Sequence, residues 1–163
     1  MDLEAPADAW YVFIGVSIIS IAVAGVVMGL PTGQGPDANG AIEEIDSVAG
    51  STYETDATVD HNAEQFWVGS KRIGMKNDHG TATESVSFGT MAPVYNESGN
   101  LSSVLTGTSA EDVYSSKSAF RDDINSSRDK TFDSGDPVWH EASGTLRIRK
   151  VIWGDFSVTI VDF

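Results

Sequence analysis

Three histidines each sit beside an acid, at Asp60-His61, Asp78-His79 and His140-Glu141. Neutral imidazole and carboxylate are good ligands for zinc and similar metals, so these pairs are the first place to look for chemistry. None shows the i, i+4 spacing of a helical ligand pair or an H-x-E-H type of arrangement, and acids are abundant along the whole chain. Asp78-His79-Gly80 reads instead as a turn between strands, where Asn77 and Asp78 satisfy local backbone groups. The segment DSGDP, residues 133–137, brings two carboxylates close together but lacks the ligand spacing and closing Glu of an EF-hand loop, and it too reads as a tight turn. There is no G-x-S-x-G elbow, P-loop or dinucleotide fingerprint. The lack of cysteine excludes disulfides, thiolate zinc sites and cysteine nucleophiles together. These residues predict no enzyme, no cofactor and no metal site.

Two other patterns carry a different chemistry. Asn96, Asn100 and Asn125 each begin an Asn-x-Ser acceptor, so three of the six asparagines are candidate glycosylation sites, against about one expected by chance. Gly15, Ala22, Gly25 and Gly29 are spaced by seven, three and four residues and share one helical face. Gly25 to Gly29 is a GxxxG step, which lets neighbouring backbones approach closely in lipid. Arg147, Arg149 and Lys150 form the one basic cluster, expected as an outward ladder pairing with acids.

The element that must carry the glycine face is AWYVFIGVSIISIAVAGVVMGL, residues 9–30, with no charged side chain in its length. As a helix it spans roughly 33 Å, matching a hydrocarbon core of about 30 Å, and Trp10 and Tyr11 suit the interfacial level. The preceding tail, MDLEAPAD, holds Asp2, Glu4 and Asp8 and no base, unlike the basic n-region of a signal peptide. A retained single-pass transmembrane anchor is expected. The first basic residue is Lys71, so the positive-inside rule is silent, and the three sequons place the C-terminal domain outside.

After this acidic tail (1–8) and anchor (9–30) comes a Gly/Pro linker, 31–40, and then one domain over 41–163. Ala38, Ala41, Ile42, Ile45, Val48 and Ala49 recur at three- and four-residue spacing, predicting a short amphipathic helix stopped by Gly50. From Ser51 the period becomes two. Tyr53, Thr55, Ala57 and Val59 read as a half-exposed strand, and Phe66–Val68 with Ile73 and Met75 as a hairpin turning at Gly69-Ser70. Val86, Phe88, Val94 and Tyr95 continue the strand pattern as far as a turn at residues 97–100. Thr108 with Glu111 fits a capping box ahead of a helix whose inner face holds Val113, Phe120 and Ile124. Leu146 and Ile148, the Gly154-Asp155 turn, and Phe156, Val158 and Ile160 make a C-terminal hairpin. The expected fold is α+β: an N-terminal transmembrane helix, a short amphipathic helix, then a β-rich, mostly antiparallel domain.

The chain holds 24 acids against 10 bases, a net charge of −14. Such a surface repels nucleic acid, whose phosphates require Lys and Arg, and is poorly suited to lying on anionic lipid. It stays hydrated in concentrated salt, where a short Debye length screens its self-repulsion, and it resembles haloarchaeal proteins in this respect. The short tail, YVFIGVSIISIAVAGVVMGLP, the broken helix and the small β-rich domain resemble pilin-like proteins of archaeal type IV filament and pilus-type secretion systems, with NDHG (Asn77 to Gly80) as a further mark. That resemblance implies a structural role on the cell surface, with the lipid bilayer, further copies or other pilin-like helices as partners. MDLEAPAD lacks the basic residue and Gly that precede the helix in prepilins, which points to an unprocessed accessory component. The alternative is an anchored extracellular binding module contacting an S-layer, a stator or a small ligand.

Overall fold

The computed structural model describes residues 33–95 and 98–163. The expected anchor, with Gly15, Ala22, Gly25 and Gly29, lies outside the described residues, as does Asn96. Among the described residues no helix is long and apolar enough to cross a membrane.

The first element is α1, Ala38–Gly50, and all six of its periodic apolar residues are buried. It begins inside the stretch expected to be linker. Asp37 is the N-cap, its carboxylate accepting from the Gly40 N–H at 3.0 Å. An Asp cap stabilises by about 1 kcal/mol, enough to offset a glycine in the first turn.

Two four-stranded sheets follow. The first has the order β1-β9-β10-β5, from Asp56–Asp60, Thr145–Trp153, Phe156–Asp162 and Met91–Pro93. The second has the order β4-β3-β2-β8, from Gly80–Ser85, Arg72–Asn77, Gln65–Val68 and His140–Glu141. Every pairing is antiparallel except β10 with β5. A short ladder of β6, Phe132–Asp133, and β7, Asp136–Pro137, completes the set. The fold is α+β with mostly antiparallel sheets, as the change of period implies.

The C-terminal hairpin is as expected: Trp153 pairs with Phe156 across Gly154-Asp155, and Gly154 takes φ 63°. The β2–β3 reversal falls one residue later than expected. The Gly69 N–H donates to the Arg72 carbonyl at 2.8 Å, so the turn residues are Ser70 and Lys71. Tyr53 and Thr55 precede β1, and Tyr53 is exposed.

The first sheet is covered on both faces, because strand residues alternate sides. Leu146, Ile148 and Val161 join α1 and the inner residues Phe66, Val68, Ile73 and Met75 of the second sheet in one core. Val151, Val158, Ile160 and Ala92 face the other way, into a second core. There they meet three helices: the short α2, Asn100–Leu105, and α3, Ala110–Val113, and the longer α4, Lys117–Asp129.

The single helix expected after Thr108 is therefore two. Ser109 rather than Thr108 is the cap, its hydroxyl accepting from the Glu111 N–H at 3.3 Å. The helix stops at Tyr114, which is extended, and Ser116 caps a new one through the Ala119 N–H at 3.2 Å. Competing serine caps split the segment. Phe120 and Ile124 still share the buried face of α4, while Val113 belongs to the preceding turn.

The basic cluster pairs with acids as expected at Arg147 and, 3.6 Å from Glu54, at Arg149, but it does not face outward as a whole. Lys150, on the α1 side, donates to the carbonyls of Ala49 (2.7 Å) and Ser51 at the end of α1. Arg149 points the other way and donates to the Val104 carbonyl near the end of α2 at 2.8 Å. A cation at a helix C-terminus answers both its unpaired carbonyls and its dipole. Arg147 alone is mostly exposed, 3.9 Å from Asp162.

Candidate functional site

The chain leads from the apolar run into α1 through residues 34–37, and two asparagines hold that segment. Asn62, between β1 and β2, donates from Nδ2 to the carbonyls of Gly35 (3.2 Å) and Gln34 (3.4 Å). Its Oδ1 accepts from the Asp37 N–H at 3.3 Å. Asn77, the last residue of β3, donates to the Gln34 carbonyl at 3.1 Å and the Asn62 carbonyl at 3.2 Å. A carboxamide carries two donors and an acceptor on one rigid plane, so each asparagine bridges backbone groups that no aliphatic or acidic side chain would satisfy.

Local geometry sets both. Asn77 pairs with Gly80 at the end of the β3–β4 hairpin, and its Oδ1 accepts from the His79 N–H at 2.9 Å, fixing the side chain. The NDHG segment is the hairpin turn expected from sequence, and Asn77 does more there than close it. Gln34, Asp37, Asp60, His61 and Asn62 line an open cleft of about 320 Å³ beside the clamp.

The histidines do not assemble a metal site, and among the described residues no group of three or more His, Cys, Asp or Glu could hold one. His61 accepts the Ala63 N–H on Nδ1 at 3.2 Å, which places its own proton on Nε2. That Nε2 is buried without a partner. Burial holds the His61 pKa below the ordinary histidine value, against the opposing pull of Asp60. His140 also has a partnerless buried Nε2 and a pKa lowered by burial. Its ring lies 4.4 Å from that of Tyr95. Both histidines touch the same aromatic pair: His61 lies 5.5 Å from Phe66, His140 6.3 Å from Phe163, and Phe66 stacks on Phe163 at 4.9 Å. These are neutral imidazoles set into the first core. His79 stands apart, exposed in its turn.

Asn100 is the exposed first residue of α2. Asn125 is exposed on α4, a helix rather than the surface loop that sequon use favours. Its acceptor partner Ser127 is buried and donates its hydroxyl to the Pro93 carbonyl. The DSGDP segment is a two-residue turn between β6 and β7, with positive φ at Ser134 (53°) and Gly135 (98°).

The Asn62–Asn77 clamp was not legible from sequence. Its signal was an NDHG turn whose first residue has amide chemistry beyond what a turn requires. Residues 4–151 match a family of unknown function, DUF7283. No curated protein and no solved structure matches the chain.

Proposed function

The chain belongs to that family, DUF7283, and we propose that it is a membrane-anchored structural or assembly component of the cell surface. In this reading residues 9–30 form a single-pass helix that associates through Gly15, Ala22, Gly25 and Gly29, and the domain lies outside. The pilin-like resemblance of the first fifty residues supports a subunit or accessory of a type IV filament or secretion system.

The observation that carries the reading is the clamp. Three residues, 31–33, separate the uncharged run from Gln34, whose carbonyl accepts from both Asn62 and Asn77. The clamp gives the start of the domain one fixed conformation on the β1–β2 connection and the end of β3, a feature that a loosely attached module does not need. The family match, which spans the apolar run and most of the domain, supports treating the two as parts of one device.

The test fills the small-residue face. Without a hydrophobic force between helices in lipid, association depends on close packing. Gly25→Leu with Gly29→Leu keeps the segment apolar and insertable but closes the groove. The expected result is loss of cross-linked oligomers or filament incorporation with surface delivery intact. Ile19→Leu with Val26→Leu is the matched control. Equal assembly by the two pairs would reduce the helix to an anchor and leave the binding-module reading in its place.

A further inference from the structure

Lys71 and Arg72 form and follow the β2–β3 turn, both exposed. In a chain with 24 acids for 10 bases, two adjacent cations without an acid are out of keeping. Among the described residues the ion pairs are Lys117–Asp155, Arg147–Asp162 and Arg149–Glu54, and neither cation takes part. Arg72 instead holds its guanidinium 5.9 Å from the centre of the Trp67 ring.

Trp67 lies on the outward face of the second sheet, opposite in direction to Phe66 and Val68, where alternation calls for a polar residue. It is nonetheless only 4% exposed. A glycine makes this possible. A Cβ on Gly74, its cross-strand partner, would come within 1.9 Å of the indole Nε1, so the ring lies flat on the bare strand. A Cβ on Gly69 would touch both the Trp67 and the Phe132 rings at 3.4 Å. Phe132 meets Trp67 edge-on at 5.6 Å and Trp139 does so at 6.3 Å, yet Phe132 stays 40% exposed. Trp67, Gly69, Ser70, Lys71, Arg72 and Phe132 enclose a cleft of about 210 Å³.

We propose that this cleft binds an anionic saccharide unit, a ring bearing a carboxylate or sulfate. A bare anion or an acidic side chain would use the two cations and leave the aromatic wall without a purpose. An uncharged apolar ligand would use the rings and leave two cations unanswered. A uronate ring uses both: its face of carbon-bound hydrogens lies on an aromatic surface, and its carboxylate takes parallel N–H···O bonds from a guanidinium. The cleft holds about one ring, with neighbouring units of the same glycan running out into solvent. Selection comes from contact, because the net charge of the chain repels polyanions until salt screens it. The site does not depend on the membrane reading.

Titration calorimetry on the full chain in detergent tests this, with tetragalacturonate as the probe and uncharged tetragalactose and a tetraglutamate peptide as comparisons. The expected result is about ten-fold or greater preference for the uronate over the neutral sugar, as charge-assisted bidentate contacts imply. Lys71→Gln with Arg72→Gln removes that preference, and Phe132→Ser weakens binding of the uronate as well. Lys71→Gln alone, at an exposed side chain that takes part in no ion pair among the described residues, lowers uronate affinity with the melting temperature unchanged. No heat from the uronate at millimolar concentration overturns the proposal, as does equal uronate affinity in the double variant. Tetraglutamate binding as tightly as the uronate overturns the saccharide assignment in favour of an acidic protein partner.

Discussion

Arg149 and Lys150 are neighbours in sequence, point to opposite faces of β9, and each ends on carbonyls near the C-terminus of a helix. The two sides of the central sheet thus share one device for fixing a helix, yet they are built differently. On the Lys150 side, α1 buries a single apolar stripe against both sheets. On the Arg149 side, two short helices and α4 are held by ring contacts and by side chains that reach backbone. Phe120 meets Tyr114, Trp153 and Phe156 at ring distances of 5.1, 6.1 and 5.8 Å. Arg128 donates to the Met91 carbonyl at 2.7 Å and to the Thr90 hydroxyl at 2.9 Å, and Thr131 donates to the Val68 carbonyl at 2.8 Å. α4 is as long as α1, 13 residues each, but buries only Phe120, Ile124 and Ser127, so it draws on individual anchors where α1 uses a continuous apolar stripe.

Removing the main side chain on each side gives the largest effects. Phe120→Ala should cost about 3–5 kcal/mol and Ile45→Ala about 2–5 kcal/mol, since both are fully buried. Urea unfolding followed by circular dichroism measures both. One transition that shifts in each variant makes the two cores a single cooperative unit. A second transition in Phe120→Ala alone would show that the three helices of the second core melt by themselves.

Next come the two cations. Lys150→Met leaves carbonyls of Ala49 and Ser51 without their shared donor and should cost about 2 kcal/mol, in the range for hydrogen bonds to charged groups. Arg149→Met removes one such bond, to Val104, together with the half-exposed ion pair to Glu54, and should cost about 1.5 kcal/mol. Amide exchange separates the two: the last turn of α1 loosens in the first variant and that of α2 in the second. Loss of protection on the wrong side in either would contradict the division of the cluster.

The same contrast explains what could be read from the sequence. α1 and the C-terminal hairpin were legible because Ile42, Ile45 and Val48, or Leu146 and Ile148, keep one period over a whole element. α2 was not, since NLSSVL is six residues long and starts at Gly99 with no side-chain cap. Arg149 looked outward because alternation gives its direction from the sheet but not what covers that face. The basic aromatic cleft was hidden for a related reason. Trp67 and Phe132 are far apart in sequence, and FWV reads as a strand buried on both sides. The clamp escaped because the turn potential of Asn77 fully accounts for it locally, and its bonds to residues 34 and 62 exist only after folding.

The smallest effect is in pH, and it separates the two sides by the group that titrates. His61 and His140 both belong to the first core side, and burial holds both pKa values below the ordinary histidine value. Between that value and the lowered one the unfolded chain binds more protons than the folded chain, so stability falls as pH falls through this window. Above it the histidines contribute nothing. At His61 burial outweighs the opposing pull of Asp60, and protonation would also put a hydrogen on Nδ1, which accepts the Ala63 N–H. On the second side the acid-sensitive contact is Lys117–Asp155 at 2.6 Å, which holds the Asp155 carboxyl below its usual range. It fails only as pH drops through the carboxylate range, well below the histidine window. Amide protection factors at pH 7.5 and 5.5 should therefore fall in β2 and β3 and hold in α4. His61→Gln with His140→Phe should flatten the change in β2 and β3. Equal loss in α4, or the same loss in the double variant, would mean that mild acid acts on the whole domain and not through these two rings.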